Sequence, residues 1–566
     1  MASALEAQAG TNVTIAFVTT NSIPLNPGFA GFCTEMLADA VEYYDTNFQQ
    51  VVTTLSPGWL RYPAGATGNA FDWASGQTKT NWISGFPQAE QNLLNPTVTC
   101  LSGKGGAQFS DFANMCASVG GSRIVVCING FTDSANSAGA FAAYALSNHI
   151  AVAAWELCNE PYVFTGAHSI FTDATNYVSR MKPYRDAIKA ADSNAVVAIY
   201  FNDAGEQEPN TWDDNLSVYS NKYWDAVVYH HYPVLPTNAA FSALMALDNW
   251  QLASNTTSRM LNYLIPMNNN NVTFLITEYA PDRGDGTGGQ YPPTTTLYGG
   301  IYAAEYLLRM SGLPQMQFVG PYQLLNSSGI AVTNNNYPAV IAAYDRGIAT
   351  NTAGLHFGFY LSAQVCGESV ANWALTRSTA VYATTVGTNC PTVFTDTNFV
   401  ETIPAIYAQA YQGGNGKQYV VLTNKGSNAI PVQVTQDGTT LTNHFLETFV
   451  TGSDPSVVNV NPPVSSNIVI QVNTVTNPVV IPEYSVVRLE WAVSNVPPPS
   501  LSLPFSGLNP NVGWTGLTNV IYAVQGTTNM LQQSWTTMEK ITSTGTNFVF
   551  TNWNPSAQQF YRVVVP

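Results

Sequence analysis

Charge is what this 566-residue chain has least of: Asp, Glu, Lys and Arg make up 10% of it, against roughly 25% in an average soluble protein. Apolar residues still stand at 45%, so Asn, Thr, Ser, Gly and aromatics fill the gap, and disorder driven by charge excess is excluded. Basic residues are scarcer than acidic ones. With 19 Lys and Arg against 35 Asp and Glu, a formal charge of −16 and no basic run, nucleic acid and anionic membrane are poor partners. No run approaches the roughly 18 apolar residues of a spanning helix, so no membrane insertion is expected. Cysteine is sparse too. The seven present include no Cys-x-x-Cys, which argues against a dense disulfide framework or a zinc ribbon. Cys33, Cys127 and Cys158 read as buried thiols, while Cys366 and Cys390 lie in polar sequence that would allow a bridge. The opening MASALEAQAG carries neither a charged n-region nor a long apolar stretch, yet the amide- and hydroxyl-rich composition points to an exported chain, secreted or periplasmic.

Several cofactor and nucleophile motifs are missing as well. Gly284 to Gly289 spell Gly-x-Gly-x-x-Gly, but Gln290-Tyr291-Pro292-Pro293 follows in place of a helix, so a loop beside the preceding strand is expected and no dinucleotide site. There is neither a zinc-protease helix motif nor a Gly-x-Ser-x-Gly elbow. His230 and His231 are adjacent, and adjacent strand residues face opposite ways, so the two do not share an ion. No metal or organic cofactor is called for. A surface rich in amides, hydroxyls and 12% aromatic residues suits ligands made of hydroxyl groups and flat C–H faces, that is, an oligosaccharide, polysaccharide or glycoside.

Eight short apolar runs divide the first three-fifths of the chain: 28–36, 58–66, 123–130, 152–161, 195–203, 224–233, 273–281 and 317–326. Helical patterns lie between them at 36–55, 108–119, 136–149, 170–191, 238–264 and 295–311. Repeated βα units over about 300 residues predict an α/β fold, a (β/α)8 TIM barrel over 28–350. From 351 the pattern turns to strands without long helices, predicting a β-sandwich over 351–494. The alternating segment in 1–27 is expected to join that sandwich. A Pro-rich linker at 495–505 precedes a small all-β module at 506–566.

In such a barrel the C-terminal strand ends share one face, so polar residues closing apolar runs are the first site candidates. Glu160 ends run four and Glu278 ends run seven. Two carboxylates facing each other across a barrel mouth are what glycoside hydrolysis needs: one protonates the leaving oxygen, the other attacks or stabilises the anomeric carbon. Rim salt bridges are the plainer alternative, though few basic residues exist to make them. Glu35 at the end of run one, Asn129 at the end of run three and Tyr322 in run eight are candidates for substrate binding, and Trp73, Trp155 and Trp212 are candidates for stacking on sugar faces.

Asn159-Glu160-Pro161 at the end of strand four, with a Glu closing strand seven, resembles the clan A retaining glycoside hydrolases built on a (β/α)8 barrel. Trp155-Glu156-Leu157-Cys158-Asn159-Glu160-Pro161 and the stretch LRYPAGATGNAFDW are similar to family 79, the heparanase-like enzymes and β-glucuronidases, with Cys158 and Ala64 where that family usually has Gly. The resemblance covers about residues 11–494. It implies that Glu160 is the acid/base and Glu278 the nucleophile, that Asn159 bonds the sugar 2-hydroxyl, and that Tyr232 and Arg61 orient and neutralise the nucleophile. It suggests β-glucuronide cleavage. Arabinofuranosidase, xylosidase, glucosidase or transglycosylase action stays open, as does a non-catalytic carbohydrate-binding surface protein.

Overall fold

The apolar runs become one parallel sheet in the computed structural model. The structure describes residues 12–34, 43–84, 108–162, 170–202, 211–232, 272–280, 296–322, 324–326, 341–345, 357–361, 363–396, 399–453, 455, 469–492, 500–502, 505–506, 509–515, 521–527, 536–542, 547–551 and 560–564. The eight barrel strands, in chain order, are Phe32–Cys33, Trp59–Tyr62, Arg123–Ile128, Val152–Leu157, Val197–Tyr200, Ala226–His231, Thr273–Tyr279 and Met316–Val319. They pair in that order. A parallel bridge between Ala30 and Val319 joins the last strand to the first, and the Gly31 and Val319 amides donate to the Val319 and Phe29 carbonyls at 3.1 and 2.9 Å. Strands buried on both faces explain why the sequence shows continuous apolar runs rather than alternation.

Inside the barrel, Trp59 fills the floor below the site. A Cβ at Gly31 would lie 2.5 Å from its ring, and one at Gly320, beyond strand eight, 2.4 Å from it. Small residues on neighbouring strands make room for one large side chain. Outside the sheet, helices Thr46–Leu55, Phe109–Ser118, Ala135–Ser147, Ala174–Ala191 and Leu297–Ser311 correspond to five of the expected six; the segment 238–264 lies outside the described residues. Asp45, Ser134, Asp173 and Thr296 cap their helices through side-chain oxygens.

One expectation changes. The region after 351 does contain a long helix, Ala363–Leu375, and it packs on Leu297–Ser311 so closely that a Cβ at Gly367 would sit 2.8 Å from the Gly300 backbone. It lies past residue 350, where strands without long helices were expected. Its sequence, AQVCGESVANWAL, has one charge and an internal Gly, which weakened the helical signal. That one charge, Glu368, is fully buried, with Oε1 3.2 Å from the Tyr279 hydroxyl and Oε2 without a hydrogen-bond partner among the described residues. Burial pushes its carboxyl up to about 8. The folded state thus holds a proton that the unfolded chain releases above about pH 4.5, so this group's contribution is lost as pH rises through about 8. Glu368→Gln is expected to raise stability by up to about 3 kcal/mol at pH 8 and by less than about 1 kcal/mol at pH 4.5. Urea midpoints of both proteins at the two pH values test this, and equal shifts at both would show that the buried proton contributes nothing.

The second unit is a ten-stranded, mostly antiparallel sheet in which strand Val13–Pro24 lies between Ser378–Val386 and Ile430–Gln436. Phe17 and Trp491 sit four strands apart in its order, yet their ring centroids are 6.1 Å apart. Flat strands at about 4.8 Å spacing would put them near 19 Å, so the sheet folds over on itself around a second apolar core containing Ile15, Val432 and Phe445. Glu305 on the barrel helix pins the two units. It pairs at 2.7 Å with both Arg309 and Lys425 and accepts from the Thr423 hydroxyl at 2.9 Å; these cations hold its carboxyl down to about 2. Cys390 is a free thiol; the side chain of Cys366, with which the sequence would allow a bridge, lies outside those described. The final module comprises two small antiparallel sheets. No helix among the described residues is long and apolar enough to cross a membrane.

Candidate active site

Arg61 closes strand two from inside the barrel and is fully buried. It uses all five N–H donors. Nε donates to Glu156 Oε2 at 2.7 Å; Nη1 faces Glu278 Oε1 at 2.5 Å and Cys33 Sγ at 3.4 Å; Nη2 reaches Asn159 Oδ1 at 2.8 Å and the Tyr200 hydroxyl at 2.6 Å. Residues from strands one, two, four, five and seven are thereby tied to one guanidinium.

Glu278 also accepts from the Tyr232 hydroxyl at 2.7 Å through Oε2. Its aim depends on a bulge. Leu275 pairs with Val228 but Glu278 with His230, so strand seven carries one extra residue there; without it Thr277 would face His230 and Glu278 would point out of the barrel. Strand four ends differently. Cys158 and Glu160 have φ of +70° and +43°, the left-handed region that L-residues rarely adopt, and the Asn69 side chain clamps the intervening Asn159, accepting from its N–H at 2.8 Å and donating to its carbonyl at 3.0 Å. A conformation suited to Gly explains why Gly is usual at the Cys158 position in the family the sequence resembles. The Asn159 amide nitrogen lies 3.4 Å from Glu160 Oε2.

His230 stands between the two glutamates. Its Nδ1 is 2.7 Å from Glu160 Oε1 and 3.4 Å from Glu278 Oε2, and Nε2 is 3.3 Å from the Thr277 hydroxyl. Burial pushes its imidazole down to about 4, so the ring is neutral near pH 7 and adds no charge between the carboxylates. His231 turns outward and stacks on Tyr306, as strand alternation requires. One ligand atom each from Glu160, His230 and Glu278 lies within 4.8 Å of the others, a spacing a metal ion could use. The donor set argues otherwise: both Glu278 oxygens already accept hydrogen bonds, and a dication there would face the Arg61 guanidinium.

The sequence-derived residues Arg61, Asn159, Glu160, Tyr232 and Glu278 thus come together. Tyr322 is half-buried; burial, and then the Glu278 and Glu160 carboxylates, push the Tyr232 phenol well up. Asn129 is placed differently. Its amide bonds its own loop, accepting from the Phe131 and Thr132 amides and donating to the Thr132 hydroxyl at 2.8 Å and the Phe71 carbonyl at 3.3 Å. Glu35 and the Gly284–Gly289 loop lie outside the described residues. Trp155 and Trp212 belong to the core, meeting Phe141 edge-on and stacking on Tyr177, and half-buried Trp73 stacks on Phe141 against it. Sequence reading missed Glu156, Tyr200 and Asn69 and weighed His230 only as a metal ligand. Strand parity signals one of them, since His230 sits two residues from Tyr232, whose hydroxyl reaches Glu278 inside the barrel.

No protein-family model matches the chain, and no curated protein matches it. Solved structures do. The α-L-arabinofuranosidase of Thermotoga maritima superposes with a TM-score of 0.62 at 16% identity, covering 85% of this chain and 100% of that one. The fold is one that glycoside hydrolases build. A family 51 α-L-arabinofuranosidase from Bifidobacterium longum gives 0.61 at 16% identity over 86% of this chain and 100% of that one, and a 4-O-α-L-rhamnosyl-β-D-glucuronidase from Fusarium oxysporum gives 0.53 at 13% over 84% and 100%. This glycoside-hydrolase fold, barrel plus sandwich, is shared without singling out family 79; at such identities the likeness speaks for the fold, and the chemistry has to be argued from the site.

Proposed function

We propose that this chain is a retaining glycoside hydrolase acting on neutral glycosides, with α-L-arabinofuranosides the first substrates to try. The observation that carries the reading is the facing pair Glu160 and Glu278, with an oxygen of each within 4.8 Å. That approach suits the roughly 5–5.5 Å between carboxyl groups of retaining enzymes better than the about 6.5–9.5 Å that admits a water in inverting ones. Glu278, held by Arg61 and Tyr232, attacks the anomeric carbon as Glu160 gives its proton to the departing oxygen. Glu160 then takes a proton from water, and the water oxygen displaces Glu278 from the anomeric carbon. The more exposed carboxylate is the better placed for proton exchange, and the Glu160 side chain is 19% exposed against 6% for Glu278.

The β-glucuronide suggested by the sequence resemblance gives way to a neutral sugar on two grounds. Among the described residues, the cation pairing with these carboxylates is Arg61, and its five N–H groups already face protein acceptors, leaving none for a uronate. The Thermotoga maritima and Bifidobacterium longum arabinofuranosidases also superpose better than the glucuronidase. A panel of 4-nitrophenyl glycosides tests this: kcat/KM for the α-L-arabinofuranoside is expected to exceed that for the β-glucuronide by about 100-fold or more, the effect of an unpaired buried charge. Preference for the glucuronide would overturn the substrate reading, and silence across the panel would overturn the hydrolase reading.

A further inference from the structure

One buried carboxylate in the site takes no part in the two-step displacement. Glu156 lies four residues before Glu160 on strand four, and its side chain is fully buried. Oε2 accepts from Arg61 Nε at 2.7 Å and from the Tyr200 hydroxyl at 3.0 Å, while Oε1 has no hydrogen-bond partner among the described residues. A neutral glutamine would serve both donors through one oxygen. The charge therefore adds nothing to hydrogen bonding, and a half-satisfied buried anion is expensive to keep. What it does alter is the field of Arg61, which stands between Glu156 and Glu278 with one ion pair to each.

The groups facing this pair come from every side of the barrel. Cys33 on strand one lies 3.9 Å from Glu278 Oε1; His230 and Tyr232 from strand six and Glu160 from strand four face Glu278; Tyr200 on strand five and Cys127 on strand three stand by Arg61; Tyr322 flanks Tyr232. Burial keeps the Tyr200 and Tyr232 phenols protonated and His230 neutral. Among these described groups Arg61 supplies the positive charge, and Glu156 the negative charge that does not itself meet substrate. With Glu156 neutral, the whole guanidinium field would fall on Glu278, and a carboxylate held that strongly is a weaker nucleophile.

Building on the hydrolase reading, we propose that Glu156 is a positioning and charge-balancing residue: it aims Arg61 through Nε and shares the guanidinium's charge with Glu278, so that Glu278 keeps its strength as a nucleophile. The test is the pH dependence of kcat/KM, whose acid limb reports the free enzyme's nucleophile. Glu156→Gln is expected to move that limb to lower pH by about 0.5–1 unit and to lower kcat about tenfold, with KM changing less than about twofold. Tyr200→Phe keeps the Glu156 charge but removes the hydroxyl that screens it, and is expected to move the limb the other way. An unmoved limb in either active variant, or a loss confined to KM or to melting temperature, overturns the proposal. Should Glu156→Gln fail to fold, the direction of the Tyr200→Phe shift decides alone. Wild-type protein without glycosidase activity would sink the hydrolase reading instead, so the two failures are distinguishable.

Discussion

Glu278→Ala is expected to lower aryl-glycoside turnover by about 10⁴-fold or more, the scale seen when a covalent nucleophile is removed. Binding should survive, because the variant deletes a group that acts on the anomeric carbon and leaves the Asn159, Tyr232 and Arg61 side chains in place. Azide supplied in solution can enter the vacated space and attack the same carbon, so part of the activity should return as a glycosyl azide of inverted configuration. Glu160→Ala with the same azide should give the retained azide, since Glu278 still forms the covalent intermediate and azide then displaces it. Product anomers read by proton NMR separate the two roles. Full activity in Glu278→Ala, or identical azide anomers from both variants, would reject the assignment of nucleophile and acid/base.

Arg61→Leu is expected to be the most damaging single change to stability. Glu156 and Glu278 are both buried, and their ion pairs run to this one guanidinium at 2.7 and 2.5 Å. Removing the shared cation leaves two buried carboxylates near each other, a loss of about 3–5 kcal/mol from a total stability of roughly 5–15 kcal/mol. The loss should shrink as pH falls and the orphaned carboxylates take up protons. Arg61→Lys restores the charge but supplies three donors from a point in place of five from a plane, so it should recover part of the stability while leaving activity low. Urea denaturation at neutral and acidic pH checks the stability series. A loss for Arg61→Leu below about 1 kcal/mol at neutral pH would mean that the guanidinium network is not what holds the strand ends together.

Much of this arrangement was legible in the sequence because parallel barrel strands are buried on both faces and appear as apolar runs that polar residues terminate. That pattern located all eight strands and put Glu160 and Glu278 on one rim. It did not locate helix Ala363–Leu375, whose glycine serves a close helix contact and whose lone charge is buried. Nor did it place the Asn129 side chain: a strand-end amide on the rim can turn back to brace its own loop, and nothing in the residue type distinguishes that from facing substrate. The tryptophans carry a similar ambiguity, since rings able to stack on a sugar stack equally well on Phe141 or Tyr177.

By itself the sequence determined the barrel-and-sandwich architecture, the poverty of charge and the pair of glutamates, because each is written in local composition and periodicity. Tertiary structure decided how those glutamates are placed. A single extra residue in strand seven turns Glu278 inward, two left-handed residues set the end of strand four, and one arginine with its five donors reaches groups up to 217 residues away in sequence. The register of a bulge and the convergence of distant side chains on one guanidinium are properties of packed geometry, and no local pattern encodes them.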